Sequence, residues 1–177
     1  MIGRIRAGDR KLMLRVNRWF PPAWVRRWMI LASRAGDGWI WAALGLIIMA
    51  FGGSHRIPAL IAGSVAVLAG QLTFRALKRL TGRERPCATE PHRWATLLPP
   101  DRFSFPSGHT ITAFAVVFSA GCYYPSWLPG LLFCALSVAA SRILLGLHFL
   151  SDVLAGVLIG SGIGFWAFEW IGREFAG

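Results

Sequence analysis

Long blocks of apolar residues, separated by short polar or glycine-containing segments, dominate the chain from residue 39 onward. A helix needs about 20 mostly apolar residues to cross the hydrocarbon core of a bilayer. The pattern predicts five membrane-spanning helices, over residues 39–53, 57–77, 107–124, 127–145 and 151–172. We therefore expect an all-α fold, a multi-pass helical bundle in the membrane.

Small residues recur inside two of these predicted spans. The span at 57–77 is rich in alanine and glycine, and Gly156, Gly160 and Gly164 follow at intervals of four in the last span. Small residues at this spacing allow two membrane helices to approach closely. The last span is therefore predicted to pack tightly against a neighbouring helix.

The segment before the first predicted span is amphipathic instead of apolar. Between residues 9 and 34, Leu, Val and Trp recur at helical spacing opposite Lys and Arg, and Pro21-Pro22 divides the segment in two. A basic face opposite Trp and Leu is typical of helices that lie in the membrane interface. We expect two interfacial helices in an N-terminal segment at 1–36 and the bundle at 37–177, in a single domain. One more crossing within 12–36 would give six spans.

The composition and charge agree with a membrane protein. Hydrophobic residues make up 55% of the chain, and the formal net charge is +11. Basic residues beside membrane spans follow the positive-inside rule and attract anionic lipids, whereas no basic recognition element for nucleic acid is present. The expected partners are membrane lipids and not nucleic acid. The three cysteines are not clustered, which predicts neither a disulfide framework nor a zinc site.

Three polar stretches at the edges of apolar runs carry the candidate chemistry. Their ionisable and hydrogen-bonding members are Lys78, Arg85, Ser107, Gly108, His109, Arg142, His148 and Asp152. Ionisable residues at membrane depth are costly, and they therefore mark functional sites. Arg142 stands between apolar neighbours and needs an anionic partner, which a structural pair with Asp152 would supply.

The second and third stretches predict an anion site and an oriented imidazole. Ser107 is a favourable N-cap residue, and Gly108 leaves the first N–H groups of its helix uncovered, so this helix start can bind an anion beside His109. His148 and Asp152 are four residues apart, which places them on one side of a helical turn. If Asp152 accepts from Nδ1–H of His148, Nε2 becomes a nucleophile. The simpler interpretation is that both features only cap helices.

Together, the motifs K-x6-R-P at 78–86, P-S-G-H at 106–109 and S-R-x5-H-x3-D at 141–152 resemble those of the type-2 phosphatidic acid phosphatase family. Its superfamily also includes vanadium haloperoxidases. The resemblance implies a helical membrane phosphatase that acts on a lipid phosphate and needs neither a metal ion nor another cofactor.

The resemblance also implies a role for each matching residue. Phosphoryl oxygens would be held by Lys78, Arg85 and Arg142, with Ser107 and the N–H of Gly108 as further donors. His148 would attack phosphorus to form a phosphohistidine, and Asp152 would stabilise its imidazolium. His109 would protonate the leaving oxygen and then activate the water that cleaves the intermediate.

Other functions stay open at this point. A non-catalytic protein that binds or transports lipid phosphates would use the same anion site, although anion binding alone requires neither a nucleophile nor an acid. A vanadate-dependent haloperoxidase is the third alternative, but the resemblance associates that chemistry with larger soluble proteins. The candidate substrates are phosphatidate, phosphatidylglycerophosphate, polyprenyl diphosphates and phosphorylated lipid A. The expected location is the cell membrane, as a multi-pass protein of a bacterial inner membrane.

Overall fold

The computed structural model describes residues 2–89 and 102–176, and within these ranges the chain is a bundle of α-helices. The helices are α1 (Ile2–Arg18), α2 (Ala23–Ala35), α3 (Trp39–Phe51), α4 (Arg56–Thr81), α5 (Pro86–Thr89), α6 (Gly108–Tyr123), α7 (Leu128–Leu144) and α8 (Leu150–Ala176). Short 3₁₀ turns, Gly53–His55 and Pro125–Trp127, precede α4 and α7. The prediction of an all-helical fold is confirmed.

Helix α6 lies at the centre of the bundle. Every residue from Thr110 to Val117 is buried, and the helix packs against α4, α7 and, most extensively, α8. A helix that is apolar on all sides is buried either in protein or in a bilayer. Because protein surrounds α6, this helix forms the core around which the other helices are arranged.

The predicted small-residue stripe of α8 forms the contact with α6. A Cβ added at Gly160 would lie 2.4 Å from the carbonyl oxygen of Ile111, and one at Gly164 would lie 2.3 Å from that of Ala115. At Gly156 the nearest atoms belong to Thr110 and to the carbonyl of Ser107. The two helices thus meet backbone to backbone, as the sequence predicted.

The predicted spans match the structure only roughly. Within residues 2–89 and 102–176, three helical segments are long and apolar enough to cross a membrane: Gly53–Thr81, Pro125–Leu144 and Leu150–Phe175. A pair of shorter helices, α2 and α3, could make a fourth crossing, bent by 64°. The predicted span at 107–124 corresponds to α6, whose 16 residues cover only about 24 Å of the roughly 30 Å hydrocarbon core. Its neighbours shield α6, so it need not match the bilayer.

The N-terminal segment divides at Pro21-Pro22 as predicted, but α2 is not confined to the interface. Met29, Ala32 and Ser33 on α2 are buried, and α2 packs along α7. Trp24 and Trp28 remain largely exposed. One face of α2 therefore joins the core, which corrects the expectation of a purely interfacial helix.

The polar segment after α4 folds back over one end of the bundle. Gly82 ends α4 with a φ of 56°, a left-handed conformation that favours glycine. Beyond it, Glu84 forms an antiparallel bridge with Phe103, and the N–H of Cys87 donates to the carbonyl of Gly146. This polar segment thus contains the short helix α5, while its part at 90–101 lies outside the described residues. Through Cys87 it contacts the end of α7, and through Arg83 it contacts the start of α8.

We expect Gly160→Ala to destabilise the bundle, because its methyl group would meet the backbone of α6 and force the helices apart. Overpacking of this kind typically costs about 1–3 kcal/mol. Thermal unfolding of the purified protein in detergent measures the effect. Gly162→Ala is the matched control, since nothing lies within 4 Å of a Cβ at Gly162. Equal melting temperatures for the two variants would contradict the close contact of α6 and α8.

Candidate active site

A cavity of about 410 Å³ opens where α4, α6 and α7 meet the loop before α8. Most of the predicted site residues line it, namely Lys78, Arg85, Gly108, His109, Arg142 and His148. Ser107 and Asp152 stand behind this lining, fully buried, and the backbone N–H of Ser107 donates to the carbonyl of Asp152 at 3.2 Å. Residues from three distant parts of the chain therefore share one site.

Three cations are buried around this cavity. Lys78, on the last turn of α4, is 9% exposed, Arg85 is 2% exposed and Arg142 is 3% exposed. Arg85 Nη1 donates to the carbonyl of Leu147 at 2.8 Å, and Arg142 Nη1 donates to Ser33 Oγ at 2.6 Å. Buried charges are costly, and they therefore often mark functional sites. A concentration of positive charge of this kind suits the binding of an anion.

His148 presents its Nε2 lone pair toward these cations. Nε2 lies 3.1 Å from Arg85 Nη1, and because a guanidinium can only donate, Nε2 must accept. The neutral ring then carries its proton on Nδ1, which is 3.7 Å from Oδ2 of Asp152. That separation is too long for a hydrogen bond, although catalytic hydrogen bonds commonly tighten only in the substrate complex. The tautomer is the one that nucleophilic attack by Nε2 requires.

The surroundings of His148 keep its ring neutral. Burial lowers the pKa of His148 well below its usual value of 6.5, and the nearby charges of Arg142, Arg85 and Lys78 lower it further. Each of these causes disfavours the protonated form. The imidazole therefore retains its lone pair at neutral pH.

His109 has a carboxylate partner of its own. Its Nε2 lies 2.6 Å from Oδ1 of Asp37, in the turn between α2 and α3. The side chain of Asp37 is 55% exposed, in contrast to the fully buried Asp152. A carboxylate on one ring nitrogen fixes the orientation of the imidazole. The two histidines of the site are thus each paired with an aspartate, one in a dry environment and one in contact with solvent.

The N-terminus of α6 contributes backbone donors. Its first helical hydrogen bond runs from the N–H of Ile111 to the carbonyl of Ser107, which leaves the earlier N–H groups available, as at any helix start. Ser107 occupies the N-cap position as predicted, but its side chain makes no capping hydrogen bond. Its Oγ instead accepts from Oγ1 of Thr110 at 2.9 Å.

Asp152 is held by groups from two segments of the chain, and one of them is bonded in turn to α1. Its Oδ2 accepts from the N–H of Phe149 at 2.8 Å, and its Oδ1 accepts from Arg83 Nη1 at 2.8 Å. Arg83 Nη2 in turn donates to Oδ2 of Asp9 on α1 at 2.7 Å. The expected structural pair of Asp152 with Arg142 is thereby replaced by a pair with Arg83.

The sequence profile of the PAP2 superfamily matches residues 58–176, about two thirds of the chain. The chain belongs to the PAP2 superfamily. The resemblance predicted from the three motifs is confirmed, and with it the assignment of a multi-pass membrane protein.

Named relatives and solved structures agree with PAP2 membership. Over 126 residues, 68% of each chain, the protein is 34% identical to a decaprenylphosphoryl-5-phosphoribose phosphatase of Mycobacterium tuberculosis. Over 94 residues, 51% of this chain and 38% of the relative, it is 31% identical to a lipid A 1-phosphatase of Rhizobium johnstonii.

The solved structures share the fold of this PAP2 protein. A transmembrane PAP2-type phosphatidylglycerolphosphate phosphatase from Bacillus subtilis superposes with a TM-score of 0.72 at 22% identity, covering 96% of this chain and 87% of that one. LpxE of Aquifex aeolicus gives a TM-score of 0.74 at 23% identity, covering 90% and 93%. At these identities the likeness is one of fold.

Sequence reasoning missed three members of this PAP2 site: Asp9, Asp37 and Arg83. Arg83 lies inside a run of basic residues where nothing sets it apart, except that it follows the helix-ending Gly82. Asp37 stands between two glycines at the end of an amphipathic segment, and Asp9 is the only acidic residue in the first 36 positions. An isolated acid among basic residues is the one signal that could have drawn attention to Asp9.

In the pH profile of kcat/KM, protonation of His148 should cause activity to fall on the acid side. We expect this fall to occur below pH 6.5. Because the pKa of His148 is lowered, the neutral nucleophile persists at neutral pH and is lost only as the pH falls through that lower value. Arg142→Gln removes one depressing charge and should move the limb of the residual activity upward. Profiles between pH 4 and 8 on a single substrate measure both. The substrate ionises identically in both assays, so any shift between the two profiles comes from the protein. An acid limb at the same pH in Arg142→Gln and wild type would contradict the assignment of that limb to His148.

Proposed function

We propose that the protein is an integral membrane phosphatase that hydrolyses a phosphate monoester or diphosphate of a lipid through a phosphohistidine. The observation that carries this proposal is the neutral Nε2 of His148, held 3.1 Å from the Arg85 guanidinium inside a cavity lined by Lys78, Arg85 and Arg142. A nucleophile among buried cations suits phosphoryl transfer, in which positioning and electrostatic stabilisation supply most of the catalysis.

Substrate binding begins with the phosphoryl group among the three cations. Arg85 and Arg142 would offer forked pairs of N–H donors to the oxygens, and Lys78 a point charge. The first N–H groups of α6, beginning at Gly108, would add donors along the helix dipole. The negative charge of the phosphate is attracted by all three cations, which favours the dianion in this site.

Attack follows when Arg85 turns from His148 to the phosphate. The Nε2 lone pair then adds to phosphorus in line with the leaving oxygen, the P–N bond forms as the P–O bond breaks, and the ring becomes positively charged. The growing charge draws Nδ1–H toward Oδ2 of Asp152, 3.7 Å away in this structure. Asp152 thereby stabilises the imidazolium of the intermediate.

His109 would serve the leaving group and then the water. As general acid, it gives a proton to the departing lipid oxygen, and as general base it accepts one from the water that hydrolyses the phosphohistidine. Its link to the exposed Asp37 supports this role, because a solvated carboxylate can relay the proton to and from water.

An apolar groove supports a lipid as the organic part of the substrate. It has a volume of about 430 Å³ and lies between α3, α4 and α6. Trp41, Val67 and Gln71 line both this groove and the phosphate cavity, so the two spaces adjoin. A hydrocarbon chain could lie in the groove while its phosphate occupies the cavity. Relatives named for decaprenyl, lipid A and undecaprenyl phosphates support the same class.

The function is tested by release of inorganic phosphate from a panel of lipids, using purified protein. The panel comprises phosphatidate, phosphatidylglycerophosphate, undecaprenyl diphosphate, lipid A 1-phosphate and a polyprenylphosphoryl-phosphoribose. We expect at least one to be hydrolysed, His148→Ala to lose about 10³-fold or more of kcat, and His109→Ala about 10²–10⁴-fold. His55→Ala is the control, since His55 is exposed at the opposite end of the bundle. Lipid phosphates that bind without being hydrolysed would favour the binding protein instead.

We also propose that the site opens at the cytoplasmic face. Asp9 bonds Ser151 at the start of α8, which places α1 at the catalytic end, and α1 carries Arg4, Arg6, Arg10, Lys11, Arg15 and Arg18. Among the described residues, the opposite end carries only Arg56 and Arg173 as lysine or arginine near the helix ends. Basic residues concentrate on the cytoplasmic side of membrane proteins. This asymmetry supports a substrate drawn from the inner leaflet.

Cysteine labelling tests the orientation. In a chain whose native cysteines are replaced by alanine, Arg102→Cys marks the catalytic end and Ser54→Cys marks the opposite end, both at exposed positions. We expect a membrane-impermeant maleimide to label Ser54→Cys in intact cells and Arg102→Cys only after permeabilisation. The reverse pattern would place the site on the outer face and leave the phosphatase proposal intact.

A further inference from the structure

Asp9 is a buried carboxylate on a helix whose neighbouring positions are exposed. Its exposure is 5%, whereas the residues on either side, Gly8 and Arg10, are exposed. It also stands in a strongly basic segment, where an acid contributes nothing to attraction for anionic lipid. Asp9 therefore does not serve the attachment of α1 to the membrane. Its role must come from the groups that it contacts in the protein interior.

The partners of Asp9 lie at the start of α8. Oδ1 accepts from the backbone N–H of Ser151 at 3.1 Å, and Oδ2 accepts from Ser151 Oγ at 2.5 Å. Oδ2 also accepts from Arg83 Nη2 at 2.7 Å. Three donors on one carboxylate fix its position, and Ser151 is the residue immediately before Asp152.

Arg83 connects Asp9 to Asp152. Its Nη2 binds Asp9, while its Nη1 binds Oδ1 of Asp152 at 2.8 Å and Ser151 Oγ at 2.7 Å. The guanidinium carbon lies 4.2 Å from the centroid of the Phe149 ring. A planar guanidinium held between two carboxylates and a ring has little freedom to rotate. Its orientation therefore depends on Asp9, and the orientation of Asp152 depends on Arg83.

The consequence concerns the nucleophile. With Oδ1 of Asp152 occupied by Arg83, Oδ2 is the oxygen directed at Nδ1 of His148. Without Asp9, the Arg83 side chain would lose one of its two anionic partners. It could then change its position relative to Asp152 or turn toward solvent. The N–H of Phe149 would still bind Oδ2, but the carboxylate would lose its fixed partner at Oδ1 and could rotate away from the ring that it must stabilise during attack.

We infer that Asp9 is a positioning residue for the phosphoryl-transfer step, acting through Arg83 on Asp152 and His148. Asp9 lies outside the part of the chain that matches the PAP2 profile, residues 58–176, so the helix α1 completes the catalytic centre from outside the matched region. The inference rests on the proposed phosphatase function. It also makes activity depend on the docking of α1, a basic amphipathic helix, at the catalytic end.

The test compares Asp9→Asn with wild type on the best lipid substrate. We expect kcat to fall about 10–100-fold, the range found when an outer partner of a metal-ligating side chain is lost, while KM changes less than about threefold. The Ki for inhibition by vanadate should change equally little, because Lys78, Arg85 and Arg142 are untouched. Lys11→Gln, an exposed change on the same helix, is the control and should retain full kcat.

A double-mutant cycle separates positioning from general stability. Because Asp9 and Arg83 act along one path, the losses in kcat from Asp9→Asn and Arg83→Gln should not add in the double variant. Additive losses, or a vanadate Ki that worsens in parallel with kcat, would overturn the inference in favour of a merely structural role. If the Asp9→Asn protein does not accumulate in cells, Asp9→Glu replaces it in the test, because glutamate keeps the charge but displaces it. The same result is then expected: a lower kcat with little change in KM and in the vanadate Ki.

The two proposals fail in different ways. If the wild-type protein releases no phosphate from any lipid in the panel, the phosphatase proposal fails. If the wild type is active and Asp9→Asn matches it in kcat, only the role of Asp9 fails.

Discussion

The concentration of buried positive charge around one cavity is the feature on which the rest of the proposed site depends. Lys78, Arg85 and Arg142 line one cavity within an apolar bundle, where charges interact more strongly than in water. Burial and the charges of these cations together lower the pKa of His148. The arrangement that we propose to bind phosphate therefore also keeps the proposed nucleophile neutral. In the proposed mechanism, binding and activation thus depend on the same group of charges.

The packing of α6 against α8 provides the geometry for that condition. The glycine stripe of α8 reaches the catalytic end at Gly156, where a Cβ would meet the carbonyl of Ser107 at 3.1 Å. One turn earlier, the carbonyl of Asp152 accepts from the N–H of Ser107. The start of α6 and the start of α8 are thus joined through their backbones. The N–H groups that we propose to bind the anion lie on α6, and the carboxylate beside the proposed nucleophile lies on α8. Close packing along the two helices therefore fixes the relative positions of these groups.

Features that depend on residues close together in the sequence could be predicted from it. Apolar runs and glycine spacing predicted the helices and the α6–α8 contact, and three motifs predicted the residues that share the cavity. The hydrogen-bond partners of the charged side chains were harder to predict. Asp152 binds Arg83 instead of Arg142, because Gly82 reverses the chain and turns Arg83 inward, and this outcome depends on tertiary packing. The pairs formed by Asp37 and Asp9 join segments more than 70 positions apart, and no spacing rule in one sequence specifies them.

The two imidazole–carboxylate pairs differ in solvent contact, and this difference fits the order of the proposed steps. The pair of His148 and Asp152 is fully enclosed, as a nucleophile requires, since a dry environment strengthens its interaction with phosphate and keeps water from competing for the cations. The pair of His109 and Asp37 reaches solvent through the carboxylate. Proton release and the entry of the hydrolytic water need such a connection, whereas formation of the phosphohistidine does not. In the proposed mechanism, the enclosed pair makes the attack and the pair that reaches solvent exchanges the protons, so the difference in solvent contact is consistent with this division of roles.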